Sequence, residues 1–349
     1  MSDNKTPLAK GGKLKMTNKN NLPEILVKAV SLDTYTGFGD ISVTTLIDAP
    51  RVRMLKKIHK PVSDASDFLW TTMGSAMHQV LEYAEYDQYE VKVLKQAQDV
   101  LTRHGAGNVS EWMEKFIKAT FSDSINNDII QEKRLSIEVN GWVLSGQFDL
   151  YNIGKKLLSD FKMTSAYSYM HKEFHEKYIK QLSIYAYMLR EHGYEVEAAE
   201  IIFLFRDWSV SASRRSKDYP KTQALSMELE LMSHEETEAF IKKRIALHQE
   251  VEESGVMPNC TPSEMWSTTD QYKIYKKSKG VVQKRCISGG IHPSYESAVA
   301  HRAKLERTML DELVIKYFPA ERKRCTFYCA ARDFCSQYKE HLEEIGKNK

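Results

Sequence analysis

The chain has 349 residues, 42% hydrophobic and 28% charged, enough for one large domain or two modest ones with a substantial core. Fifty basic and 47 acidic residues leave a net charge of +3, too small by itself to argue for nucleic-acid binding. No apolar run approaches membrane-spanning length, so no membrane partner is expected, and an odd count of five cysteines argues against a disulfide framework.

Residues 1–22 are polar and lysine-bearing, without an apolar stretch, and read as a disordered basic arm rather than a secretory signal. The expected location is cytoplasmic, bacterial or in a phage-infected host. Ser42 reads as the cap of a helix running to about Lys57. Helical periodicity then covers residues 67–86, 91–103 and 110–121.

Three strands follow. Residues 131–139 alternate up to Asn140-Gly141, and residues 142–151 alternate again. Asn-Gly suits a type I′ hairpin, which needs positive φ at both central residues. That turn pairs Val139 with Trp142 and, counting back, Glu132 with Asp149. A second turn centred on Ile153-Gly154 would pair Asn152 with Lys155, and so Gln147 with Asp160. Side chains alternate along strands, so Glu132, Asp149, Asp160 and Lys162 share one face. The opposite face carries Leu135, Ile137, Val139, Leu144, Phe148, Leu150, Leu157 and Phe161 as a core. Crowded carboxylates repel unless a cation sits between them. Oxygen ligands with a lysine two residues beyond one of them suit Mg²⁺ or Mn²⁺ and phosphate chemistry. The plainer reading is a solvated sheet face with scattered charge, among which Lys156 and Arg134 would belong.

Further along, residues 178–191 read as a helix, 200–205 as a buried strand, 207–221 as a polar loop, 222–232 as a strand and 235–252 as an amphipathic helix. Beyond Gly255 the character changes. Short strands are expected near Tyr272 and Val281, then a Gly289-Gly290 turn, a helix over 295–313 and a cysteine-bearing tail. The expected division is an arm over 1–22, a core domain over 23–254 and a cysteine region over 255–349. Basic runs at 51–60, 171–180, 206–217, 273–285 and 322–324 suit a DNA-tracking surface.

Gly146-Gln-Phe-Asp149, then Asp160-Phe-Lys162, then Gln181-Leu-Ser-Ile-Tyr185 resemble the PD-(D/E)XK nuclease superfamily, in particular its RecB and CRISPR-associated exonuclease branch. Gly74-Ser-Ala-Met-His78-Gln-Val-Leu-Glu82 is similar to the helix that gives this branch a histidine metal ligand. Ser42-Val-Thr-Thr-Leu46, with Pro50-Arg51 and Leu55, is similar to the opening segment of phage-type members. The resemblance covers about residues 40–206. It implies a restriction-endonuclease-like α/β core, a mixed sheet flanked by helices.

It also implies roles. Asp149 and Asp160 would hold one or two divalent ions, Mg²⁺ or Mn²⁺. His78 would complete the shell, with the Phe161 carbonyl a further candidate ligand. Lys162 would orient or activate the attacking water and offset charge on the phosphate. Gln181 and Tyr185, four apart on one helix face, would contact the substrate or support the site. Glu132 stays open between a second-metal ligand and a group holding a basic residue or a water. On its neighbours alone, Met73, Met77, Val80 and Leu81, His78 reads as a partly buried core histidine; its place in the ordered motif makes it a ligand candidate.

The cysteines Cys260, Cys286, Cys325, Cys329 and Cys335 all follow the core. Four thiolates suit a 4Fe–4S cluster or a structural zinc; the plain alternative is three partly buried small hydrophobes. The trio Cys325, Cys329 and Cys335 resembles that of iron–sulfur nucleases in this branch. It departs in its first gap, three residues rather than two, and in taking its first ligand, Cys260, from after the core instead of before it. Cys286 is left as the spare thiol. The function these features imply is a metal-dependent DNA exonuclease acting in DNA end processing. The alternatives are a nicking or restriction-like endonuclease, or a non-cutting nucleic-acid-binding protein that keeps the fold. Gly-x4-Gly-Lys-Ser/Thr is absent, so a helicase would be a separate chain. A recombinase or a single-strand-binding protein is a further candidate partner.

Overall fold

A computed structural model describes residues 16–31, 38–82, 84, 128–170, 175–306 and 312–347. The helices expected over 91–103 and 110–121, and residues 1–15 of the arm, lie outside the described residues. The chain divides into two compact units, Met1–Ile47 with Val62–Ser254, and Asp48–Pro61 with Gly255–Lys349.

The first elements among the described residues are α1 (Glu24–Val30), β1 (Ile41–Ser42) and α2 (Val43–Ile47). Ser42 does cap a helix, its Oγ accepting from the Thr45 N–H at 3.2 Å. That helix stops at Ile47 instead of running to Lys57. Ala49 is extended and Pro50 opens a separate helix, α3 (Pro50–His59), as expected where a proline pushes its predecessor out of the helical region. α3 belongs to the second unit. Asp64 forms a capping box with Asp67 at a 3₁₀ turn, Ala65–Phe68, which leads into α4 (Leu69–Glu82).

The strands of the first unit are β2 (Ile129–Gln131), β3 (Arg134–Val139), β4 (Trp142–Gln147), β5 (Leu150–Asn152) and β6 (Leu157–Thr164). Then come α5 (Ala166–Met170), α6 (His175–Glu191), β7 (Ala198–Phe205), α7 (Val210–Arg215), β8 (Ala224–Leu229) and α8 (His234–Ser254). The segment expected as a loop thus holds a short helix, α7, capped by Ser209. Two sheets result, in the orders β1-β4-β3 and β2-β5-β6-β7-β8. β1 runs parallel to β4 and β6 parallel to β7; the other pairs are antiparallel.

The Asn140-Gly141 hairpin sets the register. Val139 pairs with Trp142, and one register runs from there to Ile129 opposite Asn152. The second turn differs from expectation. It spans four residues, Ile153 to Lys156, so Asn152 pairs with Leu157 and Leu150 with Ser159. The Asn152 side chain accepts from the Lys155 N–H at 2.8 Å, and Lys156 takes φ 50°. Carried one step on, this register sets Asp149, not Gln147, against Asp160. The shift is two residues, so the faces keep their expected parity.

The faces themselves are filled differently. Asp160 shares its side of β6 with the wholly buried Leu158, while Tyr151, Leu144 and Phe148 join the core. Leu150, Leu157 and Phe161 are only half-buried. α4 packs on the Phe161 side of β6 and α6 on the Asp160 side, so neither side is a solvated face. α6 buries an unbroken run from Gln181 to Leu189. β7 buries Ala199, Ile201, Phe203 and Phe205 in strict alternation. Arg244 of α8 donates to the Leu46 carbonyl at 2.9 Å, tying α2 down.

The second unit has its own sheet, order β10-β9-β11, from β9 (Gln271–Ser278), β10 (Val281–His292) and β11 (Glu312–Phe318). Helix α9 (Tyr295–Leu305) covers one side through Ala298, against Ile274 and Leu313. The helix expected to reach Leu313 ends at Leu305, because Leu313 and Ile315 alternate inward from a strand. Gly289-Gly290 lies within β10, where the register shifts, rather than making its turn. The tail carries a π-helical turn (Arg324–Tyr328), a 3₁₀ turn (Arg332–Phe334) and α10 (Ser336–Lys347).

Gly146 marks the tightest approach near the first unit's carboxylates. A Cβ there would stand 2.5 Å from Tyr185 Cε1 and 2.6 Å from Val43 Cγ2. Gly146→Ala should therefore cost about 1–3 kcal/mol by overpacking. A thermal melt of the variant should show a lowered midpoint; an unchanged midpoint would mean that the Tyr185 ring moves aside freely.

Candidate active site

The chain's two sheets in the first unit part at Glu132 and Asp149. Glu132 interrupts β2 and β3 with φ 46°, a left-handed conformation that costs a non-glycine residue energy. Its N–H still donates to the Asp149 carbonyl at 2.9 Å, so the kink turns the side chain without breaking the pairing. The Glu132 carboxylate meets His78, from α4, at 3.0 Å from Nδ1. Asp149 Oδ1 lies 3.7 Å from the same nitrogen. One ligand atom from each of His78, Glu132 and Asp149 lies within 4.8 Å of the others. Two hard oxygens and an imidazole nitrogen form a donor set that fits a divalent ion such as Mg²⁺ or Mn²⁺.

Asp160 is adjacent, with 2% of its surface exposed. It pairs with Lys162 Nζ and accepts from Gln181 Nε2 at 3.5 Å. Burial works against the Lys162 charge, but Asp160 and Asp149 outweigh it and raise the ammonium above its usual range. Phe161 serves from between them. Its N–H donates to Asp149 Oδ2 at 2.7 Å, and its ring meets the His78 ring edge-on at 6.1 Å between centroids. Tyr185 is 4% exposed and packs beneath the site against Gly146. Burial, then the Asp160 charge, pushes its phenol up. Gln181 and Tyr185 thus back the carboxylates from the core.

Four further residues reach the site. Gln147 donates to Glu132 Oε2 at 2.7 Å and accepts from Arg134 at 3.0 Å. The first hairpin's register already pairs Arg134 with Gln147, so that contact was available from the sequence. Glu82 stands one turn past His78, and its carboxyl is pushed up by burial and by the Glu132 charge; its spacing of four from the histidine was the signal. Tyr178 holds its ring 5.9 Å from the Lys162 ammonium, and nothing in the sequence singled it out.

In the second unit, Cys260, Cys325, Cys329 and Cys335 line one cavity, with no disulfide among them. Cys325 and Cys329 are four apart across the π-helical turn, which the Cys329 N–H closes onto the Arg324 carbonyl at 2.8 Å. Cys260 is held by Gln337, which donates to its carbonyl and accepts from its N–H, both at 2.9 Å. Burial, then Glu264 and the facing thiols, pushes the Cys260 thiol up to about 12. Burial and the Cys329 and Cys335 sulfurs raise Cys325 likewise. Four soft donors in one cavity, of which Cys260 and Cys325 resist ionising, fit a cationic metal centre, which would displace their protons. Cys286 lies on β10, paired with Tyr275, away from this cavity.

The carboxylates give a pH dependence. Asp149 is pushed up from 3.8 to about 7, first by burial and next by the Asp160 charge, with Lys162, His78 and the Phe161 N–H pulling down. Between those values the folded chain binds a proton that the unfolded chain releases. Stability therefore falls as pH rises through the window. His78, raised chiefly by its hydrogen bond to Glu132, adds in the same direction. Metal-free protein should melt at a lower temperature at pH 8 than at pH 5, and Asp149→Asn should flatten part of that slope. Mg²⁺ or Mn²⁺ should restore the wild type at pH 8 more than the Asn variant. Identical slopes with and without Asp149 would refute the crowding.

A family model for the PD-(D/E)XK nuclease superfamily matches residues 51–336. Comparison with curated proteins finds no match. Among solved structures, SSO0001 is 13% identical, with 64% of this chain and 85% of that chain covered at a TM-score of 0.34. A phage-related exonuclease from Haemophilus somnus 129PT is 15% identical, with 60% and 92% covered at a TM-score of 0.28. Likenesses that distant carry no weight beside the family match. That match spans most of the chain, from α3 to the last of the clustered cysteines, and the chain belongs to the PD-(D/E)XK nuclease superfamily.

Proposed function

We propose that the chain is a metal-dependent deoxyribonuclease that degrades DNA from its ends, in end processing for recombination, repair or replication. The observation that supports this best is the convergence of His78, Glu132 and Asp149 beside the buried Asp160–Lys162 pair. A divalent ion held by Asp149, Asp160 and His78, with the Phe161 carbonyl as a further ligand, would offset the phosphate's charge and lower the barrier to attack by water. Lys162 carries the other part. Its ammonium is kept charged by the two aspartates, so Nζ can donate to a phosphate oxygen or fix the attacking water. Glu132, gripped by His78 and Gln147, would add a further carboxylate oxygen to the same ion, with His78 and Asp149. Gln181 and Tyr185 keep Asp160 in place from the core side. Exonuclease action rests on the motif order that runs from Gly74 and His78 to Gln181 and Tyr185.

Asp149→Ala, Asp160→Ala and Lys162→Ala should each reduce cleavage of end-labelled linear DNA by about a hundredfold or more in Mg²⁺ or Mn²⁺. Closed circular DNA should remain intact with the wild type. Cutting of circles would make the protein an endonuclease, and wild-type rates in all three variants would move the active site elsewhere.

We infer also that the four cysteines of the second unit bind a 4Fe–4S cluster. The cavity's thiol set and the arginines around it, Arg322, Arg324 and Arg332, suit an anionic thiolate cluster. Protein purified without oxygen should be brown, with iron and sulfide in near-equal amounts. Serine at Cys260, Cys325, Cys329 or Cys335 should bleach it, whereas Cys286→Ser should not. Stoichiometric zinc in a colourless protein would replace the cluster by a structural zinc site, and five freely titratable thiols would remove both.

A further inference from the structure

Helix α4 has no fully buried residue. In its opening turn Trp70 keeps 55% of its surface exposed, and Met73 beside it 49%. The guanidinium carbon of Arg206 lies 4.6 Å from the centre of the Trp70 ring. Arg206 directly follows β7, and its N–H donates to the Thr164 carbonyl at 3.0 Å. Thr164 ends β6, two residues past Lys162. The Trp70–Arg206 pair is therefore tied to the active site twice, along α4 to His78 and along β6 to Lys162.

Trp70, Gly74 and His78 are spaced by four and share one helix face. Between the two larger side chains, a Cβ at Gly74 would meet no atom of the described residues within 4 Å. Among the described residues an open strip thus runs from the His78 imidazole to the Trp70 indole. Its length is eight residues of helix, about 12 Å, or roughly three or four nucleotides of stacked strand. An exposed cation–π pair adds little to the stability of a fold. An aromatic face beside a permanent cation is, however, what a single nucleic-acid strand requires: a platform for a base and a partner for its phosphate.

We propose that Trp70 and Arg206 form a subsite for the single-stranded part of the nucleic-acid substrate. One base stacks on the Trp70 ring, Arg206 pairs with the neighbouring phosphate, and the strand crosses Gly74 to reach the metal ligands. This rests on the nuclease reading of the His78, Asp149 and Lys162 site. Stacking accepts any base, so the subsite adds affinity and register without sequence preference. It fixes how many nucleotides lie between the anchored base and the phosphate that is cut.

The test uses the full chain in chelator-containing buffer, where binding is read without cutting. Binding of a fluorescent single-stranded DNA oligonucleotide should weaken about ten- to a hundredfold in Trp70→Ala and much less in Trp70→Phe. Arg206→Ala should lower the dependence of log K on log salt by about 0.7. An abasic position moved along the oligonucleotide should weaken wild-type binding most at one place, roughly three or four nucleotides from the bond cut when Mn²⁺ is added. At that place it should weaken Trp70→Ala no further, a result that mere misfolding of the variant would not give. Uniform tolerance of abasic sites by the wild type, or an unchanged affinity in Trp70→Ala, would overturn the subsite even with cleavage intact. Stacking that depends on Trp70 in a protein that never cuts would overturn the nuclease reading and leave the subsite standing.

Discussion

Asp149, in the bend just before β5, lies close enough to Asp160 of β6 for their charges to oppose each other, and that repulsion organises the site. Asp160 is almost wholly enclosed, so water cannot screen the pair. The burial of Asp149 and its neighbour's charge hold its proton on to about neutrality. Lys162 meets the repulsion from one side and His78 from the other. Charges buried this way stabilise a fold poorly. Their arrangement makes sense as a place prepared for a cation and an anionic substrate, and the chain bends to build it. The left-handed backbone at Glu132 falls where the two sheets part, and the kink brings a third carboxylate to His78.

Much of this was readable from residue order, for a definite reason. Asn140-Gly141 allows one hairpin geometry, and the register it sets runs unbroken from Val139 and Trp142 to Ile129 and Asn152. The second turn departs from a two-residue hairpin because a side chain decides it. Asn152 accepts from the Lys155 N–H, which favours a four-residue loop over a two-residue one. The shift is two residues, so the residues of β6 keep their expected faces while each of them meets a different partner. An odd shift would have moved Asp160 and Lys162 to the wrong side.

Alternation revealed which residues share a face but not what covers it. Leu158 lies on the same side of β6 as Asp160, and α6 lays Leu182 and Tyr185 over that side, so the polar face is largely interior. This alters the sense of Gln181 and Tyr185. Their spacing on a helix was legible; their burial depends on tertiary packing that no local pattern records. From beneath, Gln181 reaches Asp160 and Tyr185 closes over Gly146. The Gly146-Gln-Phe-Asp149 segment thus has a packing reason for its glycine, a polar reason for its glutamine and an electrostatic one for its aspartate.

The segment around Pro50 shows a different limit. Local sequence placed it at the opening of the nuclease core, yet contacts group residues 48–61 with the second unit. Arg51 is the cause. Its guanidinium donates to the carbonyls of Pro258 and Met257, to Asn259 Oδ1 and to Ser336 Oγ, at 2.8 to 3.3 Å. Asp48 engages Arg324 through both oxygens at 2.7 Å. Two polar anchors, each closing more than 200 residues of sequence, bind an upstream helix to the loop that carries Cys260 and to the turn that carries Cys325. Val52 and Leu55 of that helix line the thiol cavity itself. The cavity is therefore built from two stretches of the second unit, one before residue 62 and one after residue 254 in the chain. A cysteine that follows the core can occupy a wall that the chain also approaches from before it, which removes the topological objection to Cys260 standing with the three cysteines of the tail.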